Sequence, residues 1–314
     1  MNIESPYAKA LATIPVRTGR LSILGSDSHY WDYGPADAAT TIVAIHGFRG
    51  EHHGLEPVIA QLRGIRVINP DLPGFGESTP MTAAAEDVDG YGRWLGQFIE
   101  LLGLSRRPVI LGHSFGSIVT AAAVAGGLAT PALILVNPIA APALEGPKAF
   151  ISRLTALYYR IGAALPKGLG YAWLGSALIT RFVTQQMAVT KDPVLRRWIH
   201  SQHTTYFSRF ADRDTLSDAF AASTVHYVQE YATSIAVPTL LIAAEKDQIT
   251  KVVDEQKLAD TMPDAELHVI PDVGHLIHYE RPTEAAALIE TFVAERVAGK
   301  QKSPRQRSPR KPAR

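Results

Sequence analysis

Pro108-Val-Ile-Leu-Gly-His-Ser-Phe-Gly-Ser117 is the stretch whose reading decides the fold. An apolar run over residues 109–111 ends abruptly in Gly112-His113-Ser114-Phe115-Gly116. The small, helix-compatible run Ile118-Val-Thr-Ala-Ala-Ala-Val124 follows. The pattern reads as strand, tight turn and helix, with Ser114 at the apex of the turn. A serine held in a sparsely populated backbone conformation persists only where its neighbours leave room. Gly112 and Gly116, two residues to either side, remove the Cβ atoms that would collide. Such a turn pushes Oγ beyond the end of the strand. It also sets the Phe115 N–H at a helix N-terminus, where negative charge is favoured. Alone, the pentapeptide is equally a Gly-rich turn holding an ordinary serine, so the rest of the chain has to decide.

Working outward, two more apolar strands precede this one. Thr41-Ile-Val-Ala-Ile45 is a β-branched run of the kind buried on both faces of a sheet, and it stops at His46-Gly47-Phe48-Arg49-Gly50. Ile65-Arg-Val-Ile-Asn69 ends in Pro70-Asp71-Leu-Pro-Gly-Phe-Gly76. Residues 17–34 read as a hairpin and residues 54–62 as a short helix. Val88, Tyr91, Leu95, Phe98 and Leu102 recur at helical spacing. Ala132-Leu-Ile-Leu-Val136 is the next strand, closed by Asn137-Pro138. Strand and helix alternate throughout, which implies a parallel sheet covered on both faces.

The alternation breaks at Pro138. From there to about residue 236 the sequence predicts helices instead, over 148–165, 170–184, 192–210 and 214–231. They are rich in aromatic residues, among them Tyr158, Tyr159, Trp173, Phe182, Trp198 and Phe207. These serve equally as the core of a helical subdomain and as the lining of an apolar pocket. The pattern resumes with the strand Val237-Pro-Thr-Leu-Leu-Ile242 and a helix near 251–261. A last strand, Leu267-His-Val-Ile270, and a closing helix over 283–297 complete it.

Composition narrows the possibilities. The chain has 314 residues, 46% hydrophobic and 19% charged, ordinary for a globular protein. It contains no cysteine, which excludes disulfides, thiolate metal sites and a cysteine nucleophile. No apolar run is long enough to span a membrane, and the N-terminus lacks the features of a signal peptide. A cytoplasmic location is the expectation. The formal net charge of +1 hides an asymmetry: seven Lys and Arg lie in residues 300–314, so residues 1–299 carry −6. That proline-containing tail is expected to be disordered, a basic segment able to touch an anionic surface, with no specific nucleic-acid partner.

A serine hydroxyl needs a base to act as a nucleophile. Of eleven histidines, His46 and His113 sit just inside tight turns and read as structural. His52 and His53 lack evident metal partners, and no metal or cofactor is expected. His200, His203 and His226 fall in the helical stretch. His275 follows the last strand on a glycine hinge, Gly274, in Asp-Val-Gly-His-Leu-Ile-His-Tyr-Glu-Arg-Pro282. A third group must orient the base. Asp247 ends the preceding strand and has the placement required. Glu245 and Asp272 compete, Asp272 also being suited to capping the turn that carries His275. The Phe48 and Phe115 N–H groups are the expected donors to a developing oxyanion. Asp71 reads as structural.

With these residues in place, the chain resembles the α/β-hydrolases that carry a helical cap, over residues 20–298. The likeness rests on His46-Gly47-Phe48, Asp71-x-x-Gly74-x-Gly76, Gly112-x-Ser114-x-Gly116, Asp247 and Gly274-His275. It implies a mostly parallel, doubly wound sheet built from residues 1–137 and 238–299, with residues 138–237 inserted as a cap. It also implies ester hydrolysis of a small or medium, partly apolar substrate by Ser114, His275 and Asp247, through an acyl-enzyme. Relatives using the same three residue types cleave carbon–carbon, amide or thioester bonds or catalyse eliminations. A different class of reading is a ligand receptor with little turnover. Ser117 stands where many members have glycine. Ser114 argues against the branches with an aspartate nucleophile. Arg49 stands where a proline is common; it reads as facing water, the alternative being a place at the pocket mouth selecting an anionic substrate. Substrate and oligomeric state are not encoded legibly.

Overall fold

The computed structural model describes residues 3–142 and 149–298. The tail expected to be disordered, residues 300–314, lies outside them. Eight strands form one sheet in the order β1-β2-β4-β3-β5-β6-β7-β8. They are β1 Val16–Ile23, β2 Ser26–Tyr33, β3 Thr40–Ile45, β4 Ile65–Pro70, β5 Val109–His113, β6 Leu133–Val136, β7 Thr239–Ala244 and β8 Ala265–Ile270. β2 pairs antiparallel with both β1 and β4, and every pairing from β4 to β8 is parallel. The mostly parallel sheet read from the sequence is therefore the observed one.

The apolar strands are continuous because both faces of the sheet are buried. Val43, Ile45, Ile110, Leu133, Leu135 and Leu241 face one core, against helices α3 (Val88–Leu101) and α4 (Phe115–Ala125). Ile42, Ala44, Val109, Leu111, Ile134, Val136, Leu240 and Ile242 face the other. There they meet α2 (Glu56–Ile59) and α12 (Pro282–Phe292). Alternation by one residue along each strand thus builds both layers. Three short helices complete this part of the chain: α1 (Ala8–Leu11), α10 (Val252–Thr261) and α11 (Ile277–Glu280).

Between β6 and β7 stand five α-helices and no named strand among the described residues. They are α5 (Ala149–Ala164), α6 (Lys167–Leu174), α7 (Ala177–Met187), α8 (Pro193–Tyr206) and α9 (Arg213–Val225). Tyr158, Tyr159, Leu174, Phe210 and Leu216 from this insertion join the same apolar cluster as α3 and α4. Expectations for three of these helices need correction. The one read over 192–210 ends at Tyr206, and Phe210 instead forms an isolated antiparallel bridge with Phe75. The single helix read over 170–184 is two helices. The Gly175 N–H closes the first onto Tyr171 O at 2.9 Å, and Ser176 leaves the helical region at ψ 116°. The helix read to residue 231 ends at Val225, where His226 turns extended (φ −102°, ψ 154°). The chain then docks on the main body through Val228 N–H and Ile139 O, 2.8 Å apart. No helix among the described residues is long and apolar enough to cross a membrane.

Candidate active site

Strand β5 delivers Ser114 to the turn into α4, with φ 53° and ψ −119°. The flanking glycines are required by contact as well as by conformation. A Cβ at Gly112 would lie 2.4 Å from Gly116 O, and one at Gly116 only 2.3 Å from Ile45 O. The loop after β3 runs directly alongside, since a Cβ at Gly47 would come within 3.0 Å of Ser114 Cβ. This places the loop holding Phe48 beside the start of α4 that holds Phe115. The loop is itself fixed: Gly47 O accepts from Gly50 N–H at 2.9 Å and lies 2.8 Å from His46 Nδ1. His46 Nε2 accepts from Leu72 N–H at 2.8 Å, so the proton sits on Nδ1. Burial pushes the His46 ring below its ordinary pKa, in keeping with a neutral structural clamp.

The ends of β7 and β8 bring the other two residues. Ser114 Oγ is 2.8 Å from His275 Nε2, and His275 Nδ1 is 2.8 Å from Asp247 Oδ2. A carboxylate only accepts, so Nδ1 donates and Nε2 is left to accept from the serine hydroxyl. Asp247 Oδ1 also accepts from Ile249 N–H at 2.7 Å. Burial acts to raise the Asp247 carboxyl, but the His275 charge and these hydrogen bonds outweigh it and hold the group below its ordinary value. Glu245 is excluded from this position: its carboxylate accepts from Asp272 N–H at 2.9 Å instead. Here the expectation for the turn reverses. Glu245 caps it, while Asp272 is exposed and pairs with Lys246.

A cavity of about 490 Å³ opens above Ser114, the size of a small-molecule site. The main body contributes Phe48, Phe115, His275 and Ile139; the insertion contributes Tyr159, Phe182, His203 and Phe220. The lining is predominantly apolar, with a few polar groups converging near the serine.

A family model described as "Alpha/beta hydrolase family" matches residues 42–288. The chain belongs to the alpha/beta hydrolase family. Lipase 1 of Psychrobacter immobilis is 24% identical to this hydrolase over 264 residues, 81% of this chain and 77% of the relative. The 2-hydroxy-6-oxononadienedioate/2-hydroxy-6-oxononatrienedioate hydrolase 2 of Pseudomonas putida is 26% identical over 310 residues, 93% of this chain and 99% of that one. Among solved structures, an esterase from Thermogutta terrifontis shares the fold with a TM-score of 0.69 at 20% identity, covering 89% of this chain and 98% of its own.

The structure also brings to this site residues that the sequence does not single out. Asn137, at the end of β6 with φ 46°, donates from Nδ2 to Asp247 Oδ2 at 3.0 Å. Its position at a strand end beside β7 is the available signal. His278 is fully buried with its ring 4.1 Å from that of His113, and burial pushes it well below its ordinary pKa. Burial likewise holds His113 down to about 3. Both rings are therefore neutral walls of the site and not additional bases. The largest correction concerns Arg49. It does not face water: it is 4% exposed, at φ 59°. Its Nε donates to Phe207 O at 2.9 Å, and its two terminal nitrogens donate to Tyr159 Oη at 3.1 Å and Leu174 O at 3.0 Å. The guanidinium also lies 4.9 Å from the Phe207 ring centre. Three different helical segments of the insertion are thereby fastened to the loop after β3.

His52 and His53 do have a third member beside them. Their ring nitrogens and a Glu51 oxygen all lie within 4.8 Å of one another. Protein groups already engage them: His52 Nδ1 is 2.9 Å from Asp71 Oδ1, and His53 Nδ1 bonds Glu51. Asp71 further accepts from His52 N–H and Glu77 N–H, the structural role expected of it.

Proposed function

We propose that the chain is a serine hydrolase that cleaves a carboxylic ester of a small or medium, partly apolar substrate. The observation that carries this reading is the continuous chain of contacts from Ser114 Oγ through His275 to Asp247, each 2.8 Å. Ser114 Oγ attacks the ester carbonyl as His275 Nε2 takes its proton, and Asp247 stabilises the imidazolium. The carbonyl oxygen, now negative, accepts from Phe48 and Phe115 N–H. The intermediate collapses, the alcohol leaves with the proton from His275, and an acyl-serine remains. Water, deprotonated by His275, then attacks the acyl carbon and frees the acid and Ser114. Residues 138–237 act as the lid over the cavity. The likeness to a lipase and an esterase supports an ester as the substrate. A second reading keeps the same residues and cleaves another bond. It is favoured by the near-complete span of the match to the Pseudomonas putida hydrolase.

The test is labelling with a fluorophosphonate, read by intact mass. Wild type should gain a single adduct and Ser114→Ala none, because phosphonylation needs an activated hydroxyl. A p-nitrophenyl ester series then measures the length of chain accepted. Absence of an adduct on folded wild-type protein would reject the hydrolytic reading in favour of a binding role.

A further inference from the structure

The insertion carries an apolar surface that the chemistry above does not use. On α5, Leu154, Leu157 and Ile161 recur at steps of three and four and are 51%, 50% and 38% exposed. On α7, Leu178 and Phe182, one turn apart, are 80% and 50% exposed. Trp173, at the end of α6, is 41% exposed, with its ring centre 5.7 Å from that of Tyr158 on α5. Large side chains grouped in this way mark a surface built to meet something. Its position is informative. Leu154 and Phe182 are each half exposed and also line the cavity over Ser114. The cavity therefore reaches the surface between α5 and α7, within this apolar face.

Charge indicates what the face meets. Residues 149–187 contain Arg153, Arg160, Lys167 and Arg181 and no Asp or Glu, in a body whose residues 1–299 carry −6. Arg153 and Arg160, two turns apart, flank the α5 stripe, and Arg181 precedes Phe182 on α7. All three are exposed, and none is paired with a carboxylate among the described residues. Only Lys167 is so paired, with Asp214. Leucine and aromatic side chains bordered by unpaired arginines match the boundary of a bilayer: apolar groups enter the acyl edge and guanidinium groups remain at the phosphates.

We propose that the α5–α7 face seats the protein on a lipid surface bearing anionic headgroups, with the cavity mouth turned toward the lipid. Seating depends on the surface alone. Delivery of an ester from the lipid to Ser114 rests in addition on the function proposed above.

The test is co-sedimentation of the full chain with vesicles of phosphatidylglycerol and phosphatidylcholine, against phosphatidylcholine alone, at low and high salt. Wild type and Ser114→Ala should bind the anionic vesicles equally, which separates seating from catalysis. Arg153→Glu with Arg160→Glu should weaken binding about tenfold or more. Leu157→Gln with Leu178→Gln should weaken it even at low salt. Both pairs should leave hydrolysis of soluble p-nitrophenyl acetate unchanged, since none of these residues lines the cavity. No binding by wild type would overturn the proposal. So would binding that survives both pairs but disappears on removal of residues 300–314. A dimer in light scattering that Leu157→Gln with Leu178→Gln dissociates, without vesicle binding, would assign the face to a second copy instead.

Discussion

Ser114 occupies its backbone conformation because two side chains are missing. A Cβ at Gly116 would stand 2.3 Å from Ile45 O and 2.6 Å from His46 O, two backbone atoms with nowhere to retreat. Gly116→Ala should therefore destabilise the protein by about 1–3 kcal/mol, as overpacking does, read as a lowered urea midpoint at unchanged slope. Gly96 in α3 is the control, since a Cβ there would meet no atom within 4 Å. Gly96→Ala should raise stability by roughly 0.5–1 kcal/mol. Equal effects at the two sites would mean that the turn is looser than its contacts imply. At this scale the sequence is legible wherever a residue's surroundings are written beside it. Ser114 is flanked by its glycines, His275 follows Gly274, and Asp247 ends its strand. Asn137, at the end of β6, and His278, three residues after His275, carry no local mark of their roles. Their partners are more than a hundred residues away along the chain: Asp247 is 110 from Asn137.

At the scale of elements, Arg49 joins two parts of the molecule that the sequence presents separately. Its partners lie 110, 125 and 158 residues further along, and two of the three are backbone carbonyl oxygens. Carbonyl acceptors have no side-chain signature, which is why the sequence alone points this residue to water. A buried guanidinium deprived of its acceptors, or acceptors deprived of it, is unfavourable. Arg49→Met should cost about 2–4 kcal/mol, and amide exchange should rise first in α6 and at the end of α8, whose carbonyls lose their donor. Arg49→Lys should recover little, since one ammonium cannot span three acceptors fixed by a planar fork. Full recovery by lysine would show that charge alone matters. The strands are legible because they are apolar on both faces, a condition their residues state directly. The break at Gly175 and Ser176 carries helix stop and start residues, but the aliphatic and aromatic spacing on both sides reads as one helix and hides it.

Across the whole molecule, one carboxylic acid links the main body to the insertion through pH. Glu86 is 6% exposed, and burial, reinforced by Asp212 and Asp218, raises it from 4.5 to about 7. Its Oε1 accepts from Met81 N–H at 2.7 Å, and this bond and the nearby Tyr91 hydroxyl act against the rise without cancelling it. The native state thus keeps a proton that the unfolded chain releases at lower pH. The stability this confers is fully present below about pH 4.5 and is lost as pH rises through about 7. Glu86→Gln, which has no proton to lose, should flatten the fall in urea midpoint between about pH 5 and about pH 8. An identical slope in the two proteins would remove Glu86 from the account. Ser114 and His275 are 161 residues apart, and β7 and β8 follow the entire insertion. On the ribosome, the serine turn emerges long before His275 and Asp247, the two residues proposed to activate it. On the proposed mechanism, a nascent or truncated chain ending within the insertion holds an inert alcohol, and reactivity arrives only with the final strands.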